Sequence, residues 1–182
     1  MGGCRYQLNR RDQIIEVDDG WLRCAKEAGD SDLLPARILR RSLWEFIADP
    51  RTRLLQGALL RKVRSTRKPI RLPFRCDSPE MKRWMEMELT SSAGGEVDVT
   101  TSVVRSEPRA RIACLAPHES RSPAEILNCC GWCNAVQVGD GPWQEVEELL
   151  CARPGWPASD DSVELRHQLC PRCDATLVKA SS

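Results

Sequence analysis

The 182-residue chain predicts an α+β protein in which short helices precede an antiparallel sheet and a small metal-stapled module follows it. Three observations carry that fold class. Between residues 70 and 103 apolar residues recur at every second position, the period of a strand with one buried face. Between Arg51 and Arg64, Leu55, Ala58, Leu59 and Val63 recur at helical spacing. Near the end, two Cys-x-x-Cys turns, Cys130–Cys133 and Cys170–Cys173, stand 36 residues apart. Together they offer four thiolates, the donor set of a closed tetrahedral zinc site.

Composition narrows the setting. The formal net charge is +1, so nothing draws the whole chain toward nucleic acid. Ten cysteines are many, yet their pairing into two tight turns reads as metal binding in a reducing compartment rather than as a disulfide scaffold. The opening residues, MGGCRYQLNRRDQ, contain no apolar stretch of the kind a secretory signal needs. No apolar run approaches a membrane span. The expected location is the cytoplasm, with no membrane contact.

Taken in order, residues 1–13 are polar and predict a flexible or weakly helical lead. Ile14–Val17 predicts a short strand, and Asp18-Asp19-Gly20 a turn. Trp21–Ala25 predicts the apolar face of a short helix or strand. Ser42 followed three residues later by Glu45 is a capping-box pattern, so a short helix is expected over Leu43–Ile47, ending near Asp49-Pro50. Arg51–Arg64 is the strongest helix, although Gly57 weakens it.

The period then changes to two. Ile70, Leu72, Phe74 and Cys76 share one side of a strand, and Arg71 and Arg75 the other. Pro73 places that strand at an edge or a bulge. After the turn Asp77-Ser78-Pro79, Met85, Met87 and Leu89 alternate with Trp84, Glu86 and Glu88. Ala93-Gly94-Gly95 turns the chain into a third strand lined by Val97, Val99, Thr101 and Val103. A fourth is expected from Arg109 to Ala116, with Ile112 and Cys114 inward. Cys24, Cys76 and Cys114 read as core filling, as do Met85 and Met87.

In the tail, Val136 and Val138 predict a short strand after the first Cys turn, with Gly139-Asp140-Gly141 as its turn and Trp143 as a cover. Gln144–Cys151 predicts one or two helical turns with Val146, Leu149 and Leu150 inward. Pro154–Pro157 predicts a rigid exposed loop, and Val163 and Leu165 return the chain to the second Cys turn. Cys130, Cys133, Cys170 and Cys173 are the expected ligands of a structural Zn²⁺. Cys129, Cys151 and His167 are the nearby alternatives.

The order short strand, small helices, Ser42–Ile47, long helix and three long strands resembles a PAS domain. The run Pro73-Phe74-Arg75-Cys76-Asp77-Ser78-Pro79, then Met85-Glu86-Met87-Glu88, is similar to one bacterial PAS-like group. That group carries a cysteine-rich tail, here Cys130-Gly131-Trp132-Cys133, Asp140-Gly141-Pro142-Trp143 and Cys170-Pro171-Arg172-Cys173. The resemblance covers about residues 12–175 and implies a PAS-like sensor or interaction domain over 12–118 and a zinc-ribbon-like tail over 119–182. Where the group usually has glycine before the Arg-Ser of the short helix, this chain has Arg40. Where many PAS domains carry a polar residue, it has Ala25.

The resemblance implies sensing or dimerisation without catalysis. A homodimer and a signalling protein are the expected partners. A small apolar ligand would lie between the long helix and the sheet, walled by Trp21, Trp44, Phe46, Leu59, Phe74 and Met85. No organic cofactor is expected. The chain has two histidines, His118 and His167, and none in the PAS-like half before His118, which disfavours a His-ligated haem. Neither histidine stands in a recognisable Ser/His/Asp or Cys/His arrangement.

Charge is uneven. Residues 37–83 carry 14 basic and 4 acidic side chains, whereas 140–164 carry 1 basic and 7 acidic. That asymmetry suits steering of a partner. The acidic tail disfavours nucleic acid, although a zinc-ribbon regulator of that kind stays open, as does a thiol/zinc redox switch.

Overall fold

The structure, a computed structural model, describes residues 2–28, 31–112, 125–156 and 163–182. The chain forms two compact units from interleaved stretches. The first comprises Met1–Phe74, Trp84–Arg105 and Thr176–Ser182, and the second Arg75–Arg83 and Ser106–Ala175.

The mixed α+β class holds. β1 (Arg5–Leu8), β2 (Ile14–Val17), β3 (Ile70–Arg75), β4 (Met81–Ser91) and β5 (Val97–Pro108) form one antiparallel five-stranded sheet in the order β2-β1-β5-β4-β3. The helices α1 (Asp19–Ala28), α2 (Pro35–Ile38) and α3 (Pro50–Thr66) all lie between β2 and β3 in sequence. Leu8, Ile14, Ile38, Leu59, Val63, Val97 and Val99 are among the most deeply buried side chains of the first unit, each at most 2 % exposed.

Local signals place several elements. The capping box forms: the Ser42 N–H donates to Glu45 Oε1 at 2.9 Å, and the Ser42 hydroxyl accepts from the Trp44 N–H at 3.4 Å. It opens a single 3₁₀ turn over Leu43–Phe46. Asp49 does not close that turn but caps α3, accepting from the Thr52 N–H at 2.8 Å, with Pro50 at the first helical position. Gly57 is not required sterically, because a Cβ there would meet the Trp44 ring at 3.6 Å, an ordinary van der Waals contact. β3 is an edge strand, as Pro73 requires.

Two expectations fail here. The polar lead contains β1, because the strand sits between two partners: Tyr6 pairs with Val17 on one side and with Val99 on the other. Its charges are matched across the ladder, with Arg5 bonding Glu16 at 2.9 Å and also contacting Asp98. The Asp18–Gly20 turn is instead the start of α1, where Asp18 Oδ1 accepts from the Trp21 N–H at 2.8 Å.

The second unit contains β6 (Glu125–Cys130), β7 (Val136–Val138), α4 (Val146–Ala152), β8 (Val163–Gln168) and the first turns of α5 (Pro171–Ser181). Its sheet has the order β7-β6-β8, antiparallel on the β7 side and parallel on the β8 side. Ile112, Leu127, Cys129, Val136, Val146, Leu149 and Val163 form its core. Trp156, expected in an exposed loop, packs against that core and donates its ring N–H to Glu125. Of the expected fourth strand, residues 109–112 are not extended in a sheet. Its remainder, including Cys114, lies outside the described residues, as does His118. Among the described residues no helix is long and apolar enough to cross a membrane.

Candidate metal centre

Parallel pairing of β6 and β8 brings the two Cys turns together. Cys130 stands opposite Gln168, so both strands deliver their Cys-x-x-Cys at the same end of the sheet. The first turn closes through Cys130 N–H to the Ala135 carbonyl at 2.8 Å and Asn134 N–H to the Cys130 carbonyl at 2.9 Å. Gly131 N–H reaches across to the Gln168 carbonyl at 3.1 Å. The second turn is the start of α5: Cys170 precedes the helix, Pro171 opens it, and Cys173 lies in its first turn. A helix N-terminus favours negative charge, so it suits thiolates.

The four sulfurs lie within 4.8 Å of one another, and Cys133 and Cys170 are 3.8 Å apart. Zinc–sulfur bonds of about 2.3 Å in a tetrahedron separate the sulfurs by about 3.8 Å. A disulfide, at about 2.05 Å, is excluded for that pair, and all four cysteines are free thiols. Cys130, Cys170 and Cys173 are buried and Cys133 is half-buried. The donor set, its spacing and its burial fit a metal ion of the zinc type. Four sulfurs would complete the tetrahedron of such an ion and would leave no coordination position for water.

Electrostatics around the cluster prepare it for a cation. Hydrogen bonds from the Cys133 and Cys173 thiols, helped by the Cys170 N–H at 3.4 Å, push Cys130 well below the ordinary thiol range. Hydrogen bonds to Cys130 and Cys133, with burial, push Cys173 up. Arg172 hydrogen-bonds Cys133, which raises the guanidinium further and sets a positive charge beside the most accessible sulfur. The alternatives fall away on geometry. Cys129 faces the apolar core, and burial pushes its thiol up to about 12. Cys151 and His167 are exposed and lie outside the group of four.

Behind the first Cys turn lies an ionic network that the sequence did not flag. The end of β3 is sewn to the turn by Arg75 N–H to the Trp132 carbonyl at 2.8 Å. With its amide oriented to donate to the Arg75 carbonyl, Asn134 also accepts from the Asp77 N–H, both at 3.1 Å. Arg75 pairs with Asp77 and, at 2.7 Å, with Glu145. Arg109 reaches Asp77 and Glu147, each at 3.3 Å, and Lys82 lies 2.9 Å from Glu147. Three cations and three carboxylates thus balance across the turn after β3 and the start of α4. Arg75 was expected on the open side of its strand, yet its side chain is only 9 % exposed.

The network has a pH consequence. Burial pushes Glu147 up, but the Lys82 hydrogen bond, a backbone hydrogen bond, the Lys82 charge and the Arg109 hydrogen bond outweigh it and hold the carboxyl below its ordinary 4.5. A carboxyl depressed in the folded state contributes stability that is complete above 4.5 and lost as pH falls through the lower folded value. Urea midpoints measured across that window should fall more steeply for the native chain than for Glu147→Gln.

The six residues expected to wall an apolar site all belong to the first unit. Leu59 and Met85 are core residues, 1 % and 8 % exposed. Trp21 is tied by its ring N–H to the Leu33 carbonyl at 2.8 Å, and Trp44 by its own to Asp12 at 3.2 Å. Phe46 lies under the Arg41 guanidinium, 4.7 Å from ring centroid to carbon, and Phe74 is half-buried. Of the cysteines expected in cores, Cys24 is half-buried and Cys76 is exposed.

No protein-family model matches the chain, and a search of the curated proteins returns no match.

Proposed function

We propose that this chain is a non-enzymatic PAS-like sensory or protein-interaction module whose C-terminal part is held by a structural zinc ion on Cys130, Cys133, Cys170 and Cys173. The observation that carries the metal half is the convergence of four sulfurs from two separate turns within 4.8 Å. Closed four-sulfur coordination suits a clip rather than a catalyst. The PAS-like half is supported by element order: short strands, small helices, one long helix, then three long strands in one antiparallel sheet. Arg40 adds a local point. Its φ of +68° is a left-handed backbone that suits glycine, the residue the resembling group carries there.

In this reading the signal passes by contact to a partner protein, and any apolar ligand is held by the first unit. A redox role is a second reading, favoured by the half-buried Cys133 beside Arg172. Native mass spectrometry of the full chain, purified in reductant without added metal, tests the proposal. One zinc per chain is the expected result, and a folded chain without stoichiometric metal would sink it. Zinc loss and two-electron thiol oxidation under dilute peroxide would move the weight to the redox reading.

A further inference from the structure

β8 is an edge strand with a self-complementary sequence. Its position in the order β7-β6-β8 leaves one side without a described neighbour. The Gln168 carbonyl accepts from Gly131 on the β6 side. Backbone groups alternate in direction along a strand, so those of Glu164 and Arg166 also face β6, while those of Leu165 and His167 face away. Among the described residues, Leu165 and His167 have no backbone partner on that open side. An open edge of this kind is a template for another strand.

We propose that β8 pairs antiparallel with β8 of a second copy of this chain, about a two-fold axis at Leu165. The side chains select this occupant and this register. With Leu165 opposite its own copy, Glu164 of each chain faces Arg166 of the other. The Leu165 pair exchanges both backbone hydrogen bonds, so the flanking Glu164/Arg166 positions are the non-bonded pairs, where side chains come closest. Within one chain these two already pair at 2.7 Å and are 40 % and 55 % exposed, so their charges are matched and available on one face. On the other face, Leu165 packs only partly against the core of Ile112, Leu127 and Val163, and a second Leu165 would extend that apolar surface. The three-stranded sheet thereby becomes six-stranded, with the same patch used by both copies, as a two-fold interface requires. A strand from an unrelated protein could use the same backbone groups, but nothing else on this edge selects one. The register of a self-pair satisfies both charges at once.

The charges give a test that leaves the fold of each copy intact, because both residues are exposed. Sedimentation equilibrium of the full chain should show concentration-dependent dimers. Glu164→Arg alone and Arg166→Glu alone should each weaken the dimer about tenfold or more, since each places two like-charge pairs across the axis. An equimolar mixture of the two variants should recover association as a heterodimer, because every cross-strand pair is then opposite in sign. In the native chain, hydrogen exchange at the Leu165 amide should slow as concentration rises, which reads the edge without any substitution. A chain that stays monomeric at millimolar concentration overturns the proposal. So do single variants that dimerise as the native chain does, or a mixture that fails to recover.

Discussion

Cys173→Ser is expected to abolish stoichiometric zinc and to unfold the second unit. Cys173 is 5 % exposed, in the first turn of α5, and no other described ligand-type side chain stands within reach of the remaining three sulfurs. Structural zinc supplies about 10–16 kcal/mol of apparent binding free energy in small metal-dependent folds. Whole domains have net stabilities of only about 5–15 kcal/mol. Losing even part of the metal term is therefore enough to melt a core as small as that of Leu127, Val136, Val146, Leu149 and Val163. Metal content by mass spectrometry, with amide exchange over β6, β7, α4 and β8, reads both consequences. Cys151→Ser is the control. That thiol is exposed and outside the cluster, so zinc and exchange should be unchanged. A Cys173→Ser chain that keeps its zinc and its protection would remove the basis of the metal reading.

Asp77→Ala carries the second large effect. Asp77 is 3 % exposed, pairs with Arg75 and Arg109, and accepts from the Arg83 N–H at 3.0 Å. Removing its carboxylate leaves two guanidiniums, 9 % and 6 % exposed, short of a counter-charge. Breaking a buried pair from one side costs about 3–5 kcal/mol. Urea denaturation at fixed zinc should show a loss of that size, and a change below about 1 kcal/mol would mean the network is not needed for stability. Asp32→Ala makes the contrast. Its 2.9 Å pair with Arg37 is mostly solvent-exposed, and its loss should be hard to detect. The two experiments separate roles as well as sizes. Asp77→Ala should weaken the unit while leaving its zinc stoichiometry at one, because the carboxylate bonds Arg75, Arg109 and the Arg83 N–H and touches no sulfur.

Residue order alone determined those features that depend on neighbours close along the chain. Asp49-Pro50 and Ser42 with Glu45 cap helical turns through groups no more than three residues away. Alternation over β4 and β5 fixes which side chains face inward, and Met85, Leu89, Val97 and Val99 are buried as that period requires. The ligand set was legible for the same reason, since each Cys-x-x-Cys forms its own turn.

Tertiary structure decided what needs partners distant in sequence. RYQL over Arg5–Leu8 alternates for only four residues, too short a run within a polar lead to announce a strand, and it is a strand because β2 and β5 flank it. The tail was expected as a zinc ribbon, but β8 runs parallel to β6 and its Cys turn opens into α5. Parallel pairing needs a crossover, here through β7 and α4, and no local pattern announces which strands a crossover will join. The network of Arg75, Asp77, Lys82, Arg109, Glu145 and Glu147 was invisible for a related reason. Read singly, each charge looks like a solvated surface residue. Only folding sets them side by side, where burial makes each one depend on the others.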